Sequence, residues 1–213
     1  MENKSSIIDI RDVSLTIRKT LILDRVTHSF SEGGIHGLVG RNGSGKTMLM
    51  KCICGFVRVS KGEVWVRDRI VGKDLDFPED MGIIIETPGF IPYYSGYKNL
   101  RILSAIKKKI NDDEIKEIMF QVGLDPKLKR PVRKYSLGMR QRLGLAQAIM
   151  EDPSILILDE PFNGLDREGV EDMRRYLLDL KEKGKTILVS SHSDEDVRVL
   201  CDDVVEMDKG RII

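Results

Sequence analysis

The sequence is poor in the features that define several large protein classes. Of its 213 residues only three are cysteines, Cys52, Cys54 and Cys201. An odd number of thiols without C-x-x-C spacing excludes a disulfide framework, and it argues against a metal site built on Cys52, Cys54 and one of His28, His36 or His192. Reduced core or surface thiols are expected instead. Proline is scarce, at seven, and no internal repeat or low-complexity linker interrupts the chain, so one composite domain is expected. Charge of one sign is also missing: 35 Lys and Arg stand against 34 Asp and Glu, a net charge of +1. Binders of phosphate backbones carry a basic excess, so no nucleic-acid partner is expected. No run approaches the roughly 18 consecutive apolar residues of a membrane span, and the opening MENKSSIIDIRD has no signal-type apolar stretch. A soluble, non-secreted chain is the expectation.

What is present is periodicity. Residues 7–30 alternate β-branched and polar positions (Val13, Leu15, Ile17, then Leu21, Leu23), which predicts antiparallel strands with one wet face. Further short strands are predicted at 64–66 and 83–85. The apolar run IHGLVG leads through a glycine-rich turn into helical spacing over 46–53, a strand, loop and helix unit. From 98 to 123 apolar residues recur every three or four positions, so this region is helical, with Asp112 and Asp113 placed to open its second helix. The pattern then runs helix (138–150), buried strand (155–159), helix (167–183), strand (186–190), helix (193–201) and strand (204–207). Such alternation implies an α/β fold with a parallel sheet covered by helices, interrupted by a helical insert near 90–138.

Two segments carry chemistry. Gly40-Arg41-Asn42-Gly43-Ser44-Gly45-Lys46-Thr47 fits G-x-x-x-x-G-K-S/T, with the strand before it and the helix after it that the motif requires. Its glycines let backbone N–H groups converge on phosphate oxygens at a helix N-terminus, so Asn42, Gly43, Ser44, Gly45, Lys46, Thr47 and Met48 are the candidate phosphate contacts. Lys46 is expected to reach the β- and γ-phosphates, and the Thr47 hydroxyl to ligate Mg²⁺. The second segment, Ile155-Leu156-Ile157-Leu158-Asp159-Glu160-Pro161, puts a carboxylate pair at the end of a buried strand, where ligands of open α/β sheets sit. Alone, such a pair reads as a helix cap or a solvated turn. After a phosphate loop, Asp159 is expected to hold Mg²⁺ and Glu160 to act as general base on an attacking water.

The intervening segments narrow the reading. Tyr135-Ser136-Leu137-Gly138-Met139-Arg140-Gln141-Arg142, before a long helix, resembles the LSGGQ signature of ATP-binding cassette (ABC) ATPases. Asn163-Gly164-Leu165-Asp166 resembles that family's D-loop, and Ser190-Ser191-His192 ends the next strand as its switch histidine does. The resemblance covers essentially the whole chain. It implies a P-loop core with an N-terminal antiparallel β subdomain (1–86 and 139–213 together) and a helical subdomain (87–138). It further implies ATP and Mg²⁺ as cofactors and a head-to-tail homodimer, or a heterodimer with a related cassette, in which Ser136 and Gly138 face the partner's γ-phosphate. Asp166 and His192 are then site residues as well. A separate membrane-spanning permease would dock near Glu86 to Tyr97, placing the chain peripherally on the cytoplasmic face of a bacterial membrane. The alternative, a soluble cassette acting on ribosomes or DNA, is disfavoured by the single cassette and the neutral charge.

Three departures from the family pattern matter. Leu137 and Met139 replace a glycine and the glutamine of the signature. No aromatic residue lies between Met1 and His28, so base recognition falls to apolar contact by Ile17. Glu86, within IIIETPGF, replaces the Q-loop glutamine and resembles the cassettes of bacitracin and lantibiotic resistance or immunity transporters; it is a candidate Mg²⁺ or water ligand. Four aromatics, Phe90, Tyr93, Tyr94 and Tyr97, follow it closely. Tyr93 and Tyr94 are expected to be exposed for docking, while Phe90 fits either docking or the packing of the insert.

Overall fold

The computed structural model describes residues 6–213. The first half runs β1 (Ser6–Ile17), β2 (Thr20–Ser31), β3 (Gly34–Val39), α1 (Lys46–Ile53), β4 (Lys61–Val66), β5 (Arg69–Ile70) and β6 (Met81–Ile84). Then come α2 (Gly96–Lys107), α3 (Asp112–Gln121), α4 (Leu137–Ile149), β7 (Ile155–Asp159), α5 (Arg167–Glu182), β8 (Thr186–Ser190), α6 (Asp194–Leu200), β9 (Asp203–Asp208) and β10 (Arg211–Ile212). β5 and β10, of two residues each, carry too little pattern to be read from sequence.

The predicted N-terminal alternation folds as a hairpin. Arg18 and Lys19 connect β1 to β2 with φ of 47° and 68°, the positive values of a two-residue turn that matches strand twist. β4 joins the other side of β1 and β5 extends it, giving an antiparallel sheet in the order β2-β1-β4-β5. The larger sheet is ordered β10-β9-β3-β8-β7-β6, parallel throughout except for the β9–β10 pair. Both of its faces are covered, so β7 and β8 are buried along their whole length, and their apolar residues alternate between two clusters. Leu156, Leu158, Ile187 and Val189 pack with α2 to α5, whereas Ile155, Ile157 and Leu188 pack with α1 and the antiparallel sheet.

The helical segment is pinned by caps and a buried amide. Asn111, rather than either aspartate, caps α3, in a reciprocal box with Glu114; Asp112 and Asp113 fill the first turn, where the helix dipole favours them. The segment before α2 is held by Asn99, which is 3% exposed. Its Oδ1 accepts the Ile91 N–H (2.7 Å), and its Nδ2 donates to Ile91 O (3.2 Å) and Ser95 O (3.0 Å). Tyr93 projects outward at 74% exposure. Tyr94, expected to be exposed, is half-buried instead: its carbonyl accepts the Val132 N–H (2.8 Å), and Lys98 Nζ covers its ring 3.7 Å from the centroid. Phe90 and Tyr97 pack against the helical core. No helix among the described residues is long and apolar enough to cross a membrane.

Replacing Asn99 by Ala leaves the Ile91 N–H without its acceptor and takes one donor each from the Ile91 and Ser95 carbonyls, which keep the Tyr94 and Asn99 N–H groups. A destabilisation of about 2–3 kcal/mol is expected, read as a lower urea midpoint at unchanged m-value.

Candidate functional site

The loop between β3 and α1 is built for close approach. Gly40 has φ of 142°, and a Cβ there would lie 2.2 Å from the Met207 carbonyl oxygen. Gly45, with φ of 111°, stands at the N-cap of α1 and supplies no side-chain cap. The other described α-helices are capped by Ser95, Asn111, Ser136, Asp166 and Ser193. Among the described α-helices only α1 leaves its first-turn N–H groups without a side-chain acceptor, and its dipole favours an anion there. Lys46, 6% exposed, donates to two carbonyls of its own loop, Gly40 O at 2.6 Å and Arg41 O at 3.3 Å. Ser44 Oγ is buried with no hydrogen-bond partner. A buried ammonium satisfied only by neutral carbonyls, beside an orphaned hydroxyl and an uncapped helix, forms an anion cradle.

The acid pair lies level with this cradle because of strand register. β8 lies between β3 and β7, with Ser190 opposite both Leu38 and Asp159. Thr47 Oγ1 donates to Asp159 Oδ2 at 2.8 Å, and Ser190 Oγ donates to Asp159 Oδ1 at 2.6 Å. Ser190 Oγ also accepts the Glu160 N–H at 2.9 Å, so one hydroxyl aligns both acids. The pairing of a hydroxyl with a buried carboxylate at the cradle's edge is the hard-oxygen donor set that Mg²⁺ prefers. Glu160 adopts φ of 49°, its carbonyl accepts from Gln141 Nε2 at 3.2 Å, and its Oε2 lies 2.8 Å from His192 Nδ1. The structure thus joins Lys46, Thr47, Asp159, Glu160 and His192 in one constellation.

The remaining candidates lie outside it. Ser136 is exposed and accepts the Met139 N–H (3.1 Å) as the cap of α4. Leu137 lies over Gly164, where an added Cβ would come within 2.4 Å of its side chain, so the start of α4 abuts the 163–166 turn. Met139 Sδ accepts from Arg130 Nη2 at 3.0 Å. Asp166 caps α5 through the Gly169 N–H (3.0 Å) and stays exposed. Ile17, 39% exposed, ends β1 at the hairpin tip. Glu86, with φ of 59°, does not touch the Thr47–Asp159 pair: its Oε1 accepts from Lys51 Nζ at 2.6 Å.

Ser190 and Gln141 stand within the sequence motifs with no role given to either, and Lys51 stands outside those motifs. A serine ending a fully buried strand was the available signal for Ser190; nothing in the spacing pointed to the other two. Burial pushes the Cys52 thiol up to about 12 and raises Cys54 too, so both stay protonated at neutral pH and are poor metal ligands.

Comparison with known proteins supplies the context. A family model described as ABC transporter matches residues 23–163, a span that includes the phosphate loop, the acid pair and Asn163. The chain is 42% identical over 205 residues to an uncharacterised ABC transporter ATP-binding protein, YybJ, of Bacillus subtilis, covering 96% of this chain and 94% of that protein. It is 35% identical to the bacitracin transport ATP-binding protein BcrA of Enterococcus faecalis, covering 97% of this chain and 68% of that one. Among solved structures, the ATP-binding cassette MJ0796, in a dimeric post-hydrolysis state bound to ADP and Pi, superposes with a TM-score of 0.87 at 21% identity, covering 96% of each chain. That likeness establishes the fold. With its fold, family match and curated relatives in agreement, this chain belongs to the ABC transporter family, among its ATP-binding proteins.

Proposed function

We propose that this chain is the ATP-hydrolysing subunit of a bacterial transporter whose membrane-spanning part is a separate chain. The observation that carries the reading is the uncapped start of α1 with Lys46 satisfied only by carbonyls of its own loop. Triphosphate oxygens replace those carbonyls as acceptors, a charge-assisted exchange that favours the bound state. Residues 42–48 line the phosphates, and Ile17 offers apolar contact to the base. Thr47 and Asp159 hold Mg²⁺, which offsets charge on the β- and γ-phosphates when bound. Glu160 accepts a proton from the attacking water as the water oxygen bonds to the γ-phosphorus; the bond to the bridging oxygen breaks, releasing ADP and phosphate. His192, already on Glu160, orients that carboxylate.

Ser136, Gly138 and Asp166 are assigned to the γ-phosphate of a second copy, or of a related cassette, packed head to tail. Their separation from the constellation within one chain supports this, as does the exposure of Ser136 and Asp166. Residues 87–138 serve as the helical subdomain, and 1–86 with 139–213 as the nucleotide-binding core. The permease docks near Glu86 to Tyr97, beside a groove of about 420 Å³ lined by Ile83, Ile85, Pro88, Leu103 and Ile106. That places the chain on the cytoplasmic face of the membrane. The bacitracin relative supports an antimicrobial peptide as the cargo class.

Lys46→Ala is expected to abolish nucleotide binding detectable by calorimetry; unchanged affinity removes the phosphate-loop assignment. Glu160→Gln is expected to bind ATP while hydrolysis falls about 10²- to 10⁴-fold, and to accumulate as a dimer with Mg-ATP by light scattering. A monomer there rules out autonomous head-to-tail pairing. Because Glu86 lies on Lys51 and not on the Thr47–Asp159 pair, Glu86→Gln, which keeps an acceptor for Lys51, is expected to leave the Mg²⁺ concentration for half-maximal hydrolysis within about twofold of the parent; a clear rise in that concentration restores Glu86 as a metal or water ligand.

A further inference from the structure

The turn that carries His192 is held from beneath by a buried charge network. Ser191 Oγ, in a residue 4% exposed, donates to Asp196 Oδ2 at 2.9 Å and accepts the Ser193 N–H at 3.1 Å. Ser193 in turn caps α6 through the Asp196 N–H at 3.3 Å. The other carboxylate oxygen of Asp196 receives Nε (2.9 Å) and Nη2 (2.5 Å) of Arg174, which reaches across from α5. Arg174 Nη1 continues to Glu195 at 3.3 Å. The Arg174 and Asp196 side chains are only 12% and 7% exposed. A cavity of about 380 Å³, lined by Glu160, Arg174, Ser191, His192 and Asp196 among others, connects the network with Glu160.

Stability alone is a weak reason for this arrangement. Desolvating a guanidinium and a carboxylate costs several kcal/mol per ion, and apolar residues of similar volume often serve as well. Geometry is the stronger reason. His192 is 64% exposed on its side chain and meets Glu160 through a single 2.8 Å contact, so its imidazole has no packing to fix it. Its position comes from the backbone of 191–193, which the hydroxyls of Ser191 and Ser193 tie to Asp196. Asp196 is in turn fixed to α5, the helix whose N-cap is Asp166.

Resting on the roles given above to Glu160 and His192, we propose that Ser191, Asp196 and Arg174 are positioning residues that hold His192 on Glu160 and fix that pair to the helix headed by Asp166. None of the three touches the anion cradle, so their loss acts on turnover and spares binding. Displacement of a reacting group by about 1 Å costs up to 100-fold, and the loss of one anchoring hydroxyl is expected to cost about a tenth of that.

The test is a double-mutant cycle on the full chain, with steady-state hydrolysis, ATP affinity by calorimetry and the thermal midpoint measured for each variant. Ser191→Ala is expected to lower kcat about tenfold with KM and ATP affinity within about twofold of the parent. In a His192→Ala background the same change does nothing further. Arg174→Met reproduces the kcat loss and Arg174→Lys recovers part of it; the lysine variant also keeps a cation on Asp196 should the methionine variant fail to fold. An effect of Ser191→Ala that multiplies with that of His192→Ala, or that falls equally on ATP affinity, overturns the inference alone. A His192→Ala variant with parental kcat removes the role given to His192 itself, and the inference with it.

Discussion

Parallel pairing of β3, β8 and β7 is the constraint on which the site depends. Parallel strands bring all their carboxyl ends to one edge of the sheet, and register decides how level those ends lie. Here Ser190 is opposite both Leu38, two residues before the phosphate loop, and Asp159, the first acid. A one-residue slip of β8 would send Ile187 and Val189 to the wrong face of the sheet as well as removing the hydroxyl from Asp159. Hydrophobic patterning therefore fixes site geometry: the alternation that buries Ile155 and Ile157 on one side and Leu156 and Leu158 on the other also sets where Asp159 ends.

From that edge the polar contacts extend outward in order of burial. Ser190, fully buried, aligns both acids; Glu160 and His192 lie nearer solvent; Ser136 and Asp166 are exposed. Gln141 links the tiers, since α4, which begins at Ser136, also grips the carbonyl of Glu160. The 163–166 turn sits between them, packed under Leu137 on one side and heading α5 on the other. Ser136 and Glu160 are thereby joined through the first two turns of α4.

Much of this was legible in the sequence, for identifiable reasons. The strand at 155–159 and the helix at 46–53 matched the observed bounds because each is framed by strong signals, an apolar run ending in acids and a glycine-rich loop. Ranking within those elements was harder. Asn111 took the cap expected near Asp112 because its side chain reaches the Asp113 and Glu114 N–H groups while Glu114 reaches back. Tyr94 is half-buried under Lys98, and its carbonyl takes the Val132 N–H, a contact between segments far apart in sequence. Likewise Lys51 on Glu86 and Arg174 on Asp196 are long-range pairings with no periodic trace. Motif spacing reports which backbone groups converge; it does not report which side chain arrives from elsewhere to hold them.

The near-zero net charge that argued against a nucleic-acid partner does not argue against binding a polyanionic nucleotide. Long-range attraction to a phosphate backbone needs many cations spread over a surface. A single triphosphate needs a few donors converging at short range, and the cradle supplies them mostly from backbone: the uncapped turn of α1, the loop N–H groups and one lysine. Such donors add nothing to formal charge, so composition cannot reveal them. They also tie the site to the fold more tightly than charged side chains could, because backbone N–H groups converge only where the chain path is fixed. Gly40 lies against Met207 of β9, and the Gly210 N–H donates to Ser44 O at 2.8 Å. The C-terminal hairpin of β9 and β10 thereby buttresses the loop, and its loss would loosen the cradle without removing any residue of the phosphate motif.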